Sequence, residues 1–343
     1  MREILQRLIE RQDLAEEEAG RLLAALTDTQ LPPAVAGALL AALQAKGVTA
    51  QELRGFALGM RALARRPQIS PGAPTVDIVG TGGDRSGSVN LSTGSALLAA
   101  ACGLRVVKHG NRSVSSRTGS ADVLEALGLA LPLDERAAGA LLDDCGFTFL
   151  FAPHYHPAMK AIAPVRAALG VRTVFNILGP LMNPAEPAYH LIGAYSAAVA
   201  QLMADALAAM PIERAFVVHG AEGWDEPTPL GAFILFDVQA GRVTRTLRDP
   251  AEAGLPRCSA AALAGDDAAF NAARLARTLR GEERGALRDA LALGAGLALE
   301  LVGEARSLRD GIAAAGTAID EGRASRVLDV IARRAAASAG AGA

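Results

Sequence analysis

The sequence predicts an α/β protein, with a small N-terminal helical domain ahead of a large α/β domain built on a central, mostly parallel sheet. Three observations lead there. Residues 1–68 carry helical signals only; from about residue 72 short apolar runs alternate with Ala-rich helical stretches; and glycine-rich or polar loops follow several of those runs. The expected boundaries are 1–70 for the helical domain, joined by a helical segment near 155–185. Residues 71–154 and 186–343 then form the α/β domain.

In the helical domain, Leu5, Leu8 and Ile9 mark one apolar stripe, and Leu22, Leu23 and Leu26 a second. Pro32-Pro33 opens a third helix that Gly47 closes, and Thr49 with Glu52 has the spacing of a capping box for a fourth. The bland role of such a module is packing, or a dimer surface. Thr75–Val79 (TVDIV) then reads as a strand ending in a Gly-rich turn. Ser92–Cys102 reads as an Ala-rich helix closed by Gly103, and Leu104–Val107 as a second strand. This strand, helix, strand order predicts a parallel crossover. Phe147–Phe151, Leu191–Tyr195 and Ala215–Val218 are further strands, Ala197–Ala209 a helix, and Phe233–Val238 with Arg242–Leu247 a hairpin around Ala240-Gly241. His156 and Arg166 are expected on one helix, ten residues apart and facing a common side.

Composition narrows the function class. Of 343 residues, 51% are apolar and 20% charged, which suits a globular protein with a sizeable core. The net charge of −2 gives no general pull toward nucleic acid or an anionic membrane, so any basic site is local. Cys102, Cys145 and Cys258 are far apart and fit neither a disulfide framework nor a zinc site. With no secretory h-region and no run of membrane-spanning length, a cytoplasmic location is expected, with no membrane or nucleic-acid partner.

In open parallel sheets ligands bind beyond the carboxyl ends of the strands, which directs attention to three loops. GTGGDRSGSVNLST, at 80–93, brings backbone close to a ligand at its glycines and ends at a helix start, a ready anion site. It matches neither the P-loop nor the dinucleotide-binding pattern. KHGNRSVSS, at 108–116, offers Lys108, Arg112, several serines and backbone amides as phosphate donors. His109 stays open between a structural hydrogen bond and a catalytic role. HGAEGWDEPTP, at 219–229, carries adjacent carboxylates at Asp225 and Glu226, either a solvated acidic turn or a seat for one or two magnesium ions.

GTGGD, NLST, KHGNRSVSS with GSADVLEALG, YHPAMK, PVRAALGVRTVFNILGPLMNP and the Asp225-Glu226 pair together resemble the anthranilate phosphoribosyltransferases. The order and spacing hold from about residue 75 to 226, and KHGNRxxSS with FNxLGPLxNP is specific to that family. The resemblance implies transfer of the phosphoribosyl group of 5-phosphoribosyl 1-pyrophosphate to anthranilate, in tryptophan biosynthesis. It also implies a homodimer formed through the helical domain. The donor contacts it implies are Gly80, Gly83, Asp84, Ser88, Asn90, Leu91, Ser92 and Thr93 from the first loop. From the second they are Lys108, His109, Gly110, Asn111, Arg112, Ser113, Val114, Ser115, Ser116 and Ser120. Ser92, Asp225 and Glu226 hold Mg2+ on this reading. Gly80, Asn111 and Arg166 meet anthranilate, with Arg166 pairing its carboxylate. No acid–base residue is assigned. The chain departs from the family pattern at Ser88, at Leu91 and in GWDEPTP, where Pro227 and Pro229 stiffen the loop. Two alternatives stay open here: a phosphoribosyltransferase of the same fold acting on another aromatic amine, and a non-catalytic homologue that binds nucleic acid.

Overall fold

The opening segment folds as helices because its leucines recur on single faces. In the computed structural model, which describes residues 1–112 and 118–340, these are α1 (Arg2–Ile9), α2 (Glu16–Leu26), α3 (Pro33–Lys46) and α4 (Ala50–Ala62). Leu8, Leu22, Leu23, Leu26, Leu39, Leu40 and Leu43 are all buried. The capping box forms as expected: the Glu52 N–H donates to Thr49 Oγ1 at 3.2 Å, and the Glu52 carboxylate accepts from the Thr49 N–H at 2.9 Å.

The rest of the chain alternates. It runs β1 (Thr75–Gly80), α5 (Leu91–Ala101), β2 (Arg105–Gly110), α6 (Ser120–Ala126), α7 (Glu135–Cys145) and β3 (Phe147–Phe151). There follow α8 (Ala152–Tyr155), α9 (Met159–Leu169), α10 (Phe175–Leu178), β4 (Tyr189–Gly193), α11 (Ala197–Leu207) and β5 (Arg214–His219). The hairpin β6 (Phe233–Gln239) and β7 (Arg242–Arg248) leads into α12 (Ala268–Leu279), α13 (Ala286–Val302), α14 (Leu308–Asp320) and α15 (Arg323–Gly340). Among the described residues the strands form one seven-stranded sheet in the order β3-β2-β1-β4-β5-β6-β7. β1 to β5 are parallel and the hairpin is antiparallel at the edge. Ala240 and Gly241 both take positive φ (50° and 75°), the geometry of a two-residue hairpin turn whose twist matches its strands.

Each face of the sheet has its own apolar core. Val76, Ile78 and Val106 point into one, built with α5, α13 and the C-terminal helices. Ile192, Val217 and Phe236 point into the other, built with α11, the four N-terminal helices and residues 162–182. The second core is what ties the helical opening to the sheet. No described helix is long and apolar enough to cross a membrane.

Three expectations need correction. β2 does not stop at Val107 but runs through Lys108 and His109 to Gly110, in register with Phe149–Phe151 of β3. A strand can carry that lysine and histidine inward because both find acceptors, described below. β4 begins at Tyr189, two residues earlier than expected, because its pairing with β1 starts at Val76↔Tyr189 and ends at Gly80↔Gly193. His156 and Arg166 do not share a helix: α8 ends at Tyr155, His156 is extended (φ −119°, ψ 67°), and α9 starts only at Met159.

Candidate functional site

The carboxyl ends of β1, β2 and β5 converge, and the three loops meet there. The Thr81 N–H makes a last bond to β4 at Gly193 O (2.9 Å), and the first loop then turns through left-handed backbone at Gly82 and Gly83 (φ 66° and 76°). The Gly82 N–H donates to Asp225 Oδ2 at 2.6 Å, and the Asp225 N–H donates back to Asp84 Oδ2 at 3.2 Å. The Asp84 carboxylate also accepts from the Ser86 amide and hydroxyl, at 3.1 and 3.0 Å. At the start of α5 the Ser92 N–H donates to Glu226 Oε1 at 3.1 Å. Asp225 and Glu226 are therefore held by backbone of the first loop.

This packing leaves no room for side chains at two glycines. A Cβ on Gly80 would strike the Asp225 carboxylate, and one on Gly193 would strike the Asp225 carbonyl oxygen. Close backbone approach, rather than turn geometry, is the reason for glycine at both.

Lys108 is buried (1% exposed), with Nζ donating to Ile78 O at 2.5 Å and Ser92 Oγ at 3.2 Å. Burial lowers its pKa, while the charges of Asp77, Glu226 and Asp225 raise it. The acid pair is pushed the other way. Burial, then Glu226 and Asp84, hold the Asp225 carboxyl well above its usual range. Burial lifts Glu226 to about 7 against the opposing pull of Lys108. Two carboxylates so destabilised as anions, beside a cavity of about 20 Å³ lined by Ser92, Gly193 and Gly294, are oxygen ligands short of positive charge. That chemistry fits a hard divalent cation. No group of three ligating side chains is pre-assembled among the described residues, which suits magnesium, commonly held by one or two carboxylates with substrate phosphates completing the shell.

The remaining expected residues are placed as follows. The Asn90 side chain donates to Thr118 O (3.2 Å) and accepts from Asn271 (3.0 Å), tying the first loop to the end of the second. Leu91 is buried in the apolar core, and Thr93 is buried with its hydroxyl unpartnered. Ser88 forms an isolated bridge to Ala264. The Ala121 N–H donates to Asn111 O (3.3 Å), and a Cβ on Gly110 would meet Ser120 Oγ, so α6 starts against the end of β2. Arg112 is turned outward: its guanidinium pairs with Glu125 at 2.5 Å and lies over the Phe151 ring at 5.0 Å. Ser113, Val114, Ser115 and Ser116 lie outside the described residues.

His109 receives a structural explanation. Nδ1 lies 3.2 Å from Gly179 O, and the ring meets that of His156 edge-on, centroids 5.1 Å apart. Burial first, then the neighbouring His156, depresses His109 to about 3, so the imidazole is neutral. Arg166, partly buried on α9, stacks over Phe175 with its guanidinium carbon 5.1 Å from the ring centroid.

The residues just described sit in a chain matched along nearly its whole length. Residues 2–64 match the helical bundle domain of a glycosyl transferase family, and residues 72–325 its a/b domain. An anthranilate phosphoribosyltransferase of Rubrobacter xylanophilus is 42% identical over 343 residues, covering all of both chains. The chain belongs to the anthranilate phosphoribosyltransferase family. The crystal structure of the Thermus thermophilus enzyme superposes with a TM-score of 0.90 at 42% identity, covering 97% of this chain and 99% of that one. The Saccharomyces cerevisiae enzyme, solved in complex with PRPP and Mg, superposes at 0.89 with 25% identity, covering 98% and 97%.

Sequence reasoning missed three groups at this site. Arg172 lies flat on the Tyr195 ring at 4.0 Å and donates to Gly83 O at 2.6 Å, bridging the segment after α9 to the first loop. Asp77 and Asn183 form a buried pair at 2.8 Å beneath the second loop. The signal for Asp77 was present as a carboxylate inside the apolar run TVDIV; Asn183 and Arg172 sat unassigned within VRTVFNILGPLMNP.

Proposed function

We propose that this protein transfers the phosphoribosyl group of 5-phosphoribosyl 1-pyrophosphate to anthranilate, releasing pyrophosphate and N-(5-phosphoribosyl)anthranilate, a step of tryptophan biosynthesis. The observation that carries the reading is the meeting of buried Lys108, the amides of the first loop and the Asp225-Glu226 pair at one end of the sheet. That is a site for a polyphosphate with a divalent cation. Magnesium, held by Asp225, Glu226 and the Ser92 hydroxyl, supplies positive charge to the pyrophosphate as it leaves.

The anthranilate nitrogen attacks C1 of the ribose with its lone pair, the C1–O bond to pyrophosphate breaks, and the amine proton passes to solvent. Lys108 places its positive charge beside the oxygens on which negative charge grows, so its contribution increases toward the transition state. Gly80, Gly83, Asp84, Ser88, Asn90 to Thr93, and Lys108 to Ser116 with Ser120, form the donor surface on this reading. Leu91, packed in the apolar core, contributes backbone only. Arg166 pairs with the anthranilate carboxylate, and Gly80 and Asn111 contact the ring. The buried, neutral His109 fixes Gly179 and is no general base. The arylamine needs none before attack, and positioning does the rest.

The helical opening, residues 1–70 with 155–185, is the proposed dimer-forming body. Ile9, 61% exposed on α1, is an apolar group such an interface would cover. A cytoplasmic location is in keeping with three free cysteines. The test is direct. Purified protein with magnesium and the donor is expected to extinguish anthranilate fluorescence; folded protein that leaves it unchanged across magnesium, manganese and cobalt overturns the reading.

A further inference from the structure

We propose that Asp77 and Asn183 are positioning residues that replace the ladder between β1 and β2 beyond Val76 and so fix the carboxyl ends from which the two donor loops leave the sheet. The proposal rests on the phosphoribosyl-transfer reading above. Its basis is the strand register. β1 pairs with β4 over five residues up to Gly80↔Gly193, and β2 pairs with β3 over five residues up to Gly110↔Phe151. Between β1 and β2 only Thr75↔Arg105 and Val76↔Val106 pair. Beyond Val76 and Val106 the two central strands stay side by side without a ladder between them, while each keeps its ladder to its outer neighbour.

Beyond Val76, side chains take the backbone groups that a continued ladder would use. The His109 N–H donates to Asp77 Oδ1 at 3.3 Å. Val107 O accepts from Asn183 Nδ2 at 2.8 Å, and the same amide donates to Asp77 Oδ2 at 2.8 Å. Ile78 O accepts from Lys108 Nζ at 2.5 Å. Asn183 is itself oriented by the Ala185 N–H, which donates to its Oδ1 at 2.9 Å. Asp77 and Asn183 are fully buried, and Lys108 and His109 nearly so, so these bonds are not exchanged with water and each is costly to leave unmade.

The carboxylate is out of keeping with its surroundings. It lies in an apolar strand run, where burial raises its pKa to about 6 against the charge of Lys108 and the bonds from Asn183 and His109. A valine there would suit the strand better and would leave the His109 N–H and Val107 O free to pair with β1. The network sets two outputs. Lys108 continues from it to Ser92 at the start of α5, and His109 continues to Gly179. Arg166 stands on α9, outside the network.

The test is steady-state kinetics on folded Asp77→Asn, an isosteric change that puts two amide groups face to face. The KM for the phosphoribosyl donor is expected to rise tenfold or more, with kcat lower and the anthranilate KM within threefold of the unmodified chain. A purely structural role predicts a lower melting temperature with unchanged constants per folded molecule, and that result overturns the proposal. So does an equal rise in both KM values. If Asp77→Asn does not fold, Asn183→Ala is judged by the same thresholds. Absence of turnover by the unmodified chain would instead overturn the transfer reading itself.

Discussion

Replacing Gly193 by alanine puts a methyl group into the backbone of Asp225. The new carbon would overlap the Asp225 carbonyl oxygen and lie 2.7 Å from its carbonyl carbon, where ordinary contact begins at 3.4 Å. The obstacle is backbone on both sides, since Gly193 is fixed by pairing to Gly80 and Val218. The oxygen, at 1.5 Å from the new carbon, sets the requirement: the Asp225-Glu226 segment must retreat by about 1.5 Å to reach even the 3.0 Å limit of real Cβ contacts. Overpacking of this kind costs about 1–3 kcal/mol of stability. Misplacing a catalytic group by about 1 Å costs on the order of 100-fold in rate. The expected outcome is a folded protein with kcat down about 100-fold and a higher magnesium concentration at half-maximal rate, measured by anthranilate fluorescence across a magnesium series. Gly316→Ala, in the middle of α14 with its nearest neighbour at ordinary contact distance, is the control and should gain up to about 1 kcal/mol. A Gly193→Ala protein within threefold of the unmodified rate, at the same magnesium midpoint, would show that this close approach does not set the position of the acid pair.

Three other outcomes are expected. Arg166→Ala should raise the anthranilate KM at least tenfold while the donor KM moves less than threefold; equal increases would mean that Arg166 serves both substrates. Glu226→Gln removes one carboxylate of the proposed magnesium pair, so activity should fall about 100-fold and recover only in part at high magnesium, as a metal titration would show. The third concerns acid stability. Burial depresses His109, His156 and His190 to about 3, 4 and 3, from 6.5. Each is neutral in the fold and takes a proton on unfolding, so its contribution is present above pH 6.5 and is lost as the pH falls below that. Between pH 6.5 and 5 this amounts to about 2 kcal/mol per imidazole. Asp77 and Glu226, raised to about 6 and 7, act in the opposite sense over the same window. The comparison is therefore by difference: denaturant melts of His190→Gln should lose about 2 kcal/mol less than the unmodified chain between those pH values. Parallel losses would contradict a neutral buried His190.

Local chemistry made much of the fold legible before the structure. The capping box at Thr49, the turn at Ala240-Gly241 and the short, Phe-rich run of β3 each act within a few residues, and each formed as read. The meeting of the three loops was also foreseen, because parallel strands deliver their carboxyl ends to one edge. The misreadings came from contacts distant in sequence. Lys108 and His109 looked like loop residues until Ile78, Ser92 and Gly179 supplied acceptors that let them continue a strand. A ten-residue spacing placed His156 and Arg166 on one helix, yet the buried contact of His156 with His109 holds it in the extended link before α9. Arg112, expected at the phosphate, pairs here with Asp122 and Glu125 of α6, partners that its charge did not announce. Arg172, Asp77 and Asn183 act through partners that a linear reading does not bring near.

Everything above turns on transfer of a phosphoribosyl group to anthranilate at the end of this sheet. Phosphorus NMR of purified protein mixed with the donor, magnesium and anthranilate follows that transfer atom by atom. One pyrophosphate should be released for each anthranilate consumed, with the ribose 5-phosphate signal retained on the arylamine product and none of this without anthranilate. Pyrophosphate release that proceeds equally without anthranilate, or no release by folded protein, would contradict it.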